Sequence, residues 1–133
     1  MITGASLIGS SERDSAATFS AINPATGETL QPAFSSAGPD EVAAACALAE
    51  AAYPSFSELA LDERAAFLEA VADAIVAIGD ELIDRAVAES GLPRGRIEGE
   101  RGRTVGQLRL FASVVREGAW VQATVDPALP DRA

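Results

Sequence analysis

Five arginines fall within sixteen residues, from Arg94 to Arg109, in a chain whose net charge is −10. Arginine binds carboxylates through two parallel N–H bonds, even when partly buried, so Arg94, Arg96, Arg101, Arg103 and Arg109 are the group with chemical promise. For any one of them, ion pairing with Glu98, Glu100 and the acidic surface is the favoured account, because such surface pairs are common. Glu98 and Glu100 are themselves too close to oppose each other across a substrate. Helical geometry points them to different faces, which reads as a solvated charged surface. Cys46 is the only cysteine and the nucleophile to suspect, but the chain has no histidine to activate it. It sits on an apolar stripe between Val42 and Ala49 and reads as a buried, inert thiol, since reactive thiols need an electropositive, partly exposed setting. Gly95, Gly99, Gly102 and Gly106 recur at spacings of four, three and four, which places them on one helical face. Each interior glycine costs roughly 0.5–1 kcal/mol relative to alanine. Such a face suits close approach of a backbone or ligand; a weak, bent helix is the plainer account and the one favoured slightly. The spacing is not a dinucleotide fingerprint, which needs G-x-G-x-x-G in a turn directly after a buried strand.

The composition closes off other chemistry. All ten basic residues are arginine. Without lysine there is no P-loop and no Schiff base; without histidine there is no His-based general base or triad, and no usual zinc site. A strongly acidic surface repels phosphate backbones and anionic lipids, which argues against nucleic-acid or membrane binding. Hydrophobic residues make up 48% and aromatics only 5%, with alanine supplying much of the apolar content. Alanine favours helices but builds a thin core, because each buried methyl removes little area from water. A lone thiol fits a reducing cytoplasm, and the N-terminus lacks the basic and apolar runs of a secretory signal. No stretch approaches a membrane span. The expectation is a soluble, cytoplasmic protein.

These residues need elements to position them. Residues 1–16 read as a poorly ordered tail or a short, poorly ordered strand. Thr18 to Ile22 and Glu28 to Phe34 read as an antiparallel hairpin around the turn Asn23-Pro24-Ala25-Thr26-Gly27. Gly38-Pro39-Asp40-Glu41 opens a helix carrying Val42, Ala45, Cys46, Ala49, Tyr53 and Phe56 at helical spacing, and Pro54 is expected to end it near Ala52. A second helical region starts near Leu61 with Phe67, Leu68, Val71, Ile75 and Ile78 as its apolar stripe. It breaks at Gly79 and resumes through Leu82, Ile83, Ala86 and Val87 to stop at Gly91. The third, Arg94 to Glu117, holds the glycine face and a stripe of Leu108, Phe111, Ala112 and Val115. Trp120 to Val125 alternates loosely and reads as a strand.

The order of these pieces resembles the opening of an aldehyde dehydrogenase. The residues that carry the likeness are the hairpin Phe19 to Glu28, the Ala-rich helix Val42 to Tyr53, Glu63-Arg64-Ala65 with Leu68, then Leu82 and Glu89-Ser90-Gly91-Leu92-Pro93. Within the family, Glu100-Arg101-Gly102-Arg103-Thr104-Val105-Gly106-Gln107-Leu108-Arg109-Leu110-Phe111-Ala112 is most similar to α-ketoglutaric semialdehyde (2,5-dioxovalerate) dehydrogenases. The likeness covers residues 16–126. It implies an α/β enzyme of which residues 17–133 are an incomplete N-terminal portion of the cofactor-binding domain. The chain itself should be mostly α, with an N-terminal β-hairpin and a C-terminal strand.

The resemblance further implies an oxidoreductase that uses NAD or NADP and forms homo-oligomers, with a cysteine nucleophile, a glutamate-activated water and an oxyanion hole. None of these parts has a counterpart here and Cys46 does not match the nucleophile, so no catalytic or cofactor-binding residue is assigned, and no metal. The partners implied are the remainder of the enzyme chain and a small aldehyde. One carry-over concerns substrate. The family's third long helix lines the aldehyde tunnel, where Gly99 would leave room and Arg103 would meet the carboxylate of α-ketoglutaric semialdehyde. The chain alone is expected to be inactive and to bind no cofactor. The rival is a stand-alone helical binding or assembly module without catalysis.

Overall fold

Glycines at positive φ end three of the four α-helices of the described residues. In the computed structural model, which describes residues 2–124, Gly79, Gly91 and Gly118 take φ of 67°, 68° and 71°. Between these breaks and Gly38 run α1 (Pro39–Ser57), α2 (Leu61–Ile78), α3 (Asp80–Ser90) and α4 (Arg94–Glu117). The starts of α1 and α2 share one device. Glu41 accepts from the Gly38 N–H at 2.8 Å and Glu63 from the Ala60 N–H at 3.0 Å, so a glutamate in the first turn satisfies a donor the helix cannot.

Ahead of the helices lie four short strands. β1 (Ser6–Ile8) pairs antiparallel with β2 (Ser11–Arg13), Leu7 opposite Glu12. β3 (Thr18–Phe19) pairs antiparallel with β4 (Phe34–Ser35), and the Phe19 and Phe34 rings stack 5.7 Å apart. An Ile22–Thr29 bridge continues this second pair toward the expected turn. There Asn23 accepts from the Ala25 N–H at 2.9 Å, and Gly27, at φ 76°, donates to the Asn23 carbonyl at 2.8 Å.

Packing is concentrated in one place. α4 lies along α2 and touches α3 less. The buried apolar residues among those described are Ala65 and Ala72 of α2, Ile83 of α3, and Val105 and Ala112 of α4. Alanines at a helix seam allow close interaxial approach, so the core is thin. The described helices include none long and apolar enough to cross a membrane.

The chain is mostly helical with antiparallel pairing near its start, and five local expectations need correction. Residues 2–16 hold the β1–β2 hairpin, two short strands in place of a tail or one poorly ordered strand. Gly9, at φ 62°, turns it, and the Ser35 N–H to Gly4 carbonyl bond of 2.8 Å ties it to β4. Pro54 does not end α1 near Ala52, because the helix runs on to Ser57. The Ser55 and Ser57 hydroxyls donate to the Ala52 and Pro54 carbonyls, and Phe56 meets the Phe67 edge at 5.6 Å, which together hold the last turn. Trp120 to Thr124 forms no strand: Ala119–Val121 is a 3-10 turn, with Arg64 seated 5.9 Å from the Trp120 ring, while Val125 lies outside the described residues. Cys46 is exposed, not buried, because α1 buries none of its residues. Phe67 and Phe111, assigned to apolar stripes, both stand exposed beside an alanine seam.

Candidate functional site

The arginine-rich segment becomes the first part of α4, and tertiary packing sorts its members. Arg94 donates to Glu98 at 2.8 Å, to Asp84 at 2.6 Å and to Asp80 at 2.5 Å, pinning the start of α4 to α3. Its guanidinium pKa is raised, chiefly by the bond to Glu98 and then by Asp80. Arg96 pairs with Glu100 at 2.6 Å, one turn along. Arg101 turns inward and donates to the Gly79 carbonyl at 3.1 Å, satisfying backbone left open where α2 ends. Arg109 reaches Asp73 of α2 at 2.9 Å. Glu98 and Glu100 are therefore ion-pair partners on a solvated face and do not face each other.

Arg103 differs. It is exposed and makes no hydrogen bond or ion pair among the described residues. Gly99 lies one turn earlier on the same face. A methyl built on Gly95, Gly99, Gly102 or Gly106 would meet nothing within 4 Å. The helix is continuous from Arg94 to Glu117, so these glycines neither break it nor admit another described backbone. What they leave is a bare helical surface with one unpaired guanidinium at its edge. Such a surface can take a carboxylate through two N–H bonds, with space beside it for a small ligand.

Two groups escaped sequence reasoning. Arg116 grips both oxygens of Glu69 at 3.0 Å and reaches Asp62 at 3.2 Å. This contact lowers the Glu69 pKa and raises that of Arg116. Its partners lie far back in sequence, so no local spacing announces it. An apolar groove of about 420 Å³ runs between α2, α3 and α4, lined by Ile75, Ile78, Leu82 and Ile97. The described residues form two antiparallel strand pairs, and β4 leads through Gly38 into α1. They contain no group of three or more His, Cys, Asp or Glu side chains placed to hold a metal.

Comparison with known proteins decides the family. Residues 11–128 match the model of the aldehyde dehydrogenase family. The chain belongs to that family. It is 53% identical to Alpha-ketoglutaric semialdehyde dehydrogenase 2 of Azospirillum brasilense over 98% of its own length, and 39% identical to the Alpha-ketoglutaric semialdehyde dehydrogenase of Acinetobacter baylyi over 88%. It spans 25% of the first relative and 22% of the second, so the match is to a fragment of a much longer enzyme. A mostly helical chain with small strand pairs near its start is consistent with such a fragment.

Proposed function

We propose that this chain is the N-terminal part of an NAD(P)-dependent dehydrogenase that oxidises α-ketoglutaric semialdehyde to 2-oxoglutarate. The observation that carries this reading is the 53% identity to a semialdehyde dehydrogenase across almost the whole chain. Arg103 is the residue through which this part acts on the substrate. Its guanidinium stands unpaired on the bare face of α4 and receives the carboxylate at the end away from the aldehyde, while Gly99 leaves room for the chain between. The NAD or NADP site, the nucleophile and the water-activating carboxylate belong to the remainder of the enzyme, so this chain alone oxidises no aldehyde and holds no cofactor. The complete enzyme is a homo-oligomer, as the family resemblance implies, and the lone thiol of this part is in keeping with a reducing, cytoplasmic setting.

The test is Arg103→Ala in the complete enzyme. A lost charge-assisted pair is worth about 1.5–3 kcal/mol, or roughly 10–100-fold in kcat/KM. That loss should fall on α-ketoglutaric semialdehyde and spare an uncharged aldehyde of similar size. Equal losses on both substrates, or none on either, would remove Arg103 from the substrate site.

A further inference from the structure

Ion pairs and hydrogen bonds occupy most polar side chains of α4. Arg96 holds Glu100 at 2.6 Å and Arg109 holds Asp73 at 2.9 Å. The Thr104 and Ser113 hydroxyls donate to the Glu100 and Leu110 carbonyls at 3.0 and 2.7 Å. From Arg94 to Arg116, the polar side chains without a partner among the described residues are Arg103 and Gln107, and both are exposed. They stand four residues apart, so they share a face with roughly 5–6 Å between their Cβ atoms. Helical side chains lean toward the N-terminus, which lays Gln107 over the turn that carries Arg103. The other neighbour one turn on is Gly106, where a methyl would meet nothing within 4 Å. The free guanidinium thus has one free, uncharged donor beside it.

We propose that Gln107 donates a side-chain N–H to the 2-oxo group of the substrate whose carboxylate Arg103 receives. It thereby favours 2-oxo acid semialdehydes over carboxylated aldehydes of equal length that lack the ketone. The proposal rests on the reading of Arg103 as the receptor of the carboxylate. In a 2-oxo acid the ketone carbon is bonded directly to the carboxylate carbon. A donor that meets the ketone oxygen must therefore stand next to the group that holds the carboxylate, and Gln107 is the free side chain in that place. A ketone oxygen is a neutral acceptor, and the amide of Gln107 offers two N–H donors without charge. The nearer hydroxyl, that of Thr104, is committed to the Glu100 carbonyl. When a methylene replaces the ketone, the amide donor loses its partner, and that lost bond is the discrimination.

The experiment uses Gln107→Met in the complete enzyme, which keeps the length of the side chain and removes the donor. Parent and variant are compared on α-ketoglutaric semialdehyde and on glutaric semialdehyde. The second has the same chain length, aldehyde and carboxylate, with a methylene in place of the ketone. The ratio of kcat/KM between the two should fall about three- to tenfold, the worth of one neutral hydrogen bond, through loss on the 2-oxo substrate alone. An unchanged ratio overturns the proposal. Equal loss on both substrates overturns it as well, since Gln107 would then serve only the packing of α4. A second measurement needs no variant. In the parent, 2-oxoglutarate should compete with the aldehyde about three- to tenfold more tightly than glutarate does, and equal competition overturns the proposal even if Gln107→Met fails to fold. Failure of the substrate reading looks different. Arg103→Ala would then spare both carboxylated aldehydes, whereas failure of the Gln107 contact alone leaves Arg103→Ala damaging both and Gln107→Met without effect on their ratio.

Discussion

α2 with α4, and α1 by itself, are two answers to the same alanine-rich composition. α2 and α4 bury Ala65, Ala72, Val105 and Ala112 along a shared seam and are cross-tied by Arg109 to Asp73 and Arg116 to Glu69. α1 has comparable length and apolar content but buries nothing. A helix becomes part of a core when another element presents a complementary stripe within reach, and propensity alone does not supply one. The C-terminal half of this chain carries both members of a pair. The helix nearer the N-terminus has only one.

The widest gap between these regions should appear on truncating a side chain in each. Among the described residues Ile83 is the one large side chain that is fully buried, so Ile83→Ala should destabilise by about 2–5 kcal/mol, against under about 0.5 for Val42→Ala. Urea midpoints measure both, and similar losses would mean α1 is packed after all. Enlarging alanines sharpens the contrast from the other side. Ala112→Leu overfills the seam and should cost about 1–3 kcal/mol, whereas Ala45→Leu on α1 should be close to neutral.

Glycine replacements should split by sign. Gly118 holds φ 71°, and a methyl there would lie 2.9 Å from Leu61 Cδ1, so Gly118→Ala should destabilise by about 1 kcal/mol or more. Gly106→Ala, with open space around it, should stabilise the 133-residue chain by about 0.5–1 kcal/mol. If the same change in the complete enzyme lowers activity, the bare face of α4 is filled there.

The smallest effect concerns pH. The Arg116 hydrogen bond holds the Glu69 pKa below its ordinary 4.5. A carboxyl with a depressed folded pKa adds stability that is complete above the unfolded value and is lost as pH falls through the folded one. Melting curves should therefore show Glu69→Gln differing slightly from the parent above about pH 4.5 and converging with it at lower pH. The pair is exposed, so high salt should shrink the difference.

Local signals were readable where the physics is local. Gly79, Gly91 and Gly118 stop helices because only glycine takes positive φ freely, and Asn23 with Gly27 makes a turn from its own atoms. The i,i+4 pairs Arg94–Glu98 and Arg96–Glu100 follow from helical geometry once the helix is granted. Pro54 by itself signals a helix end, but the Phe56–Phe67 contact, distant in sequence, holds the last turn. An apolar stripe is not burial until another element covers it, and Cys46 on such a stripe is exposed. Arg103 stood in the sequence as one of five similar arginines, and nothing local distinguished it.

The sequence by itself determined the glycine stops at Gly79 and Gly91, the hairpin turn, the acidic surface and, through the order of its pieces, the family. Only the tertiary structure decided which stripe meets a partner, and that alanines rather than the larger Phe67 and Phe111 form the seam. It also decided that Arg94, Arg96, Arg101 and Arg109 are engaged while Arg103 is left unpaired among the described residues. The reason is physical: a backbone break or an i,i+4 pair involves atoms a few residues apart, whereas burial and long-range pairing depend on which surfaces the whole chain brings together.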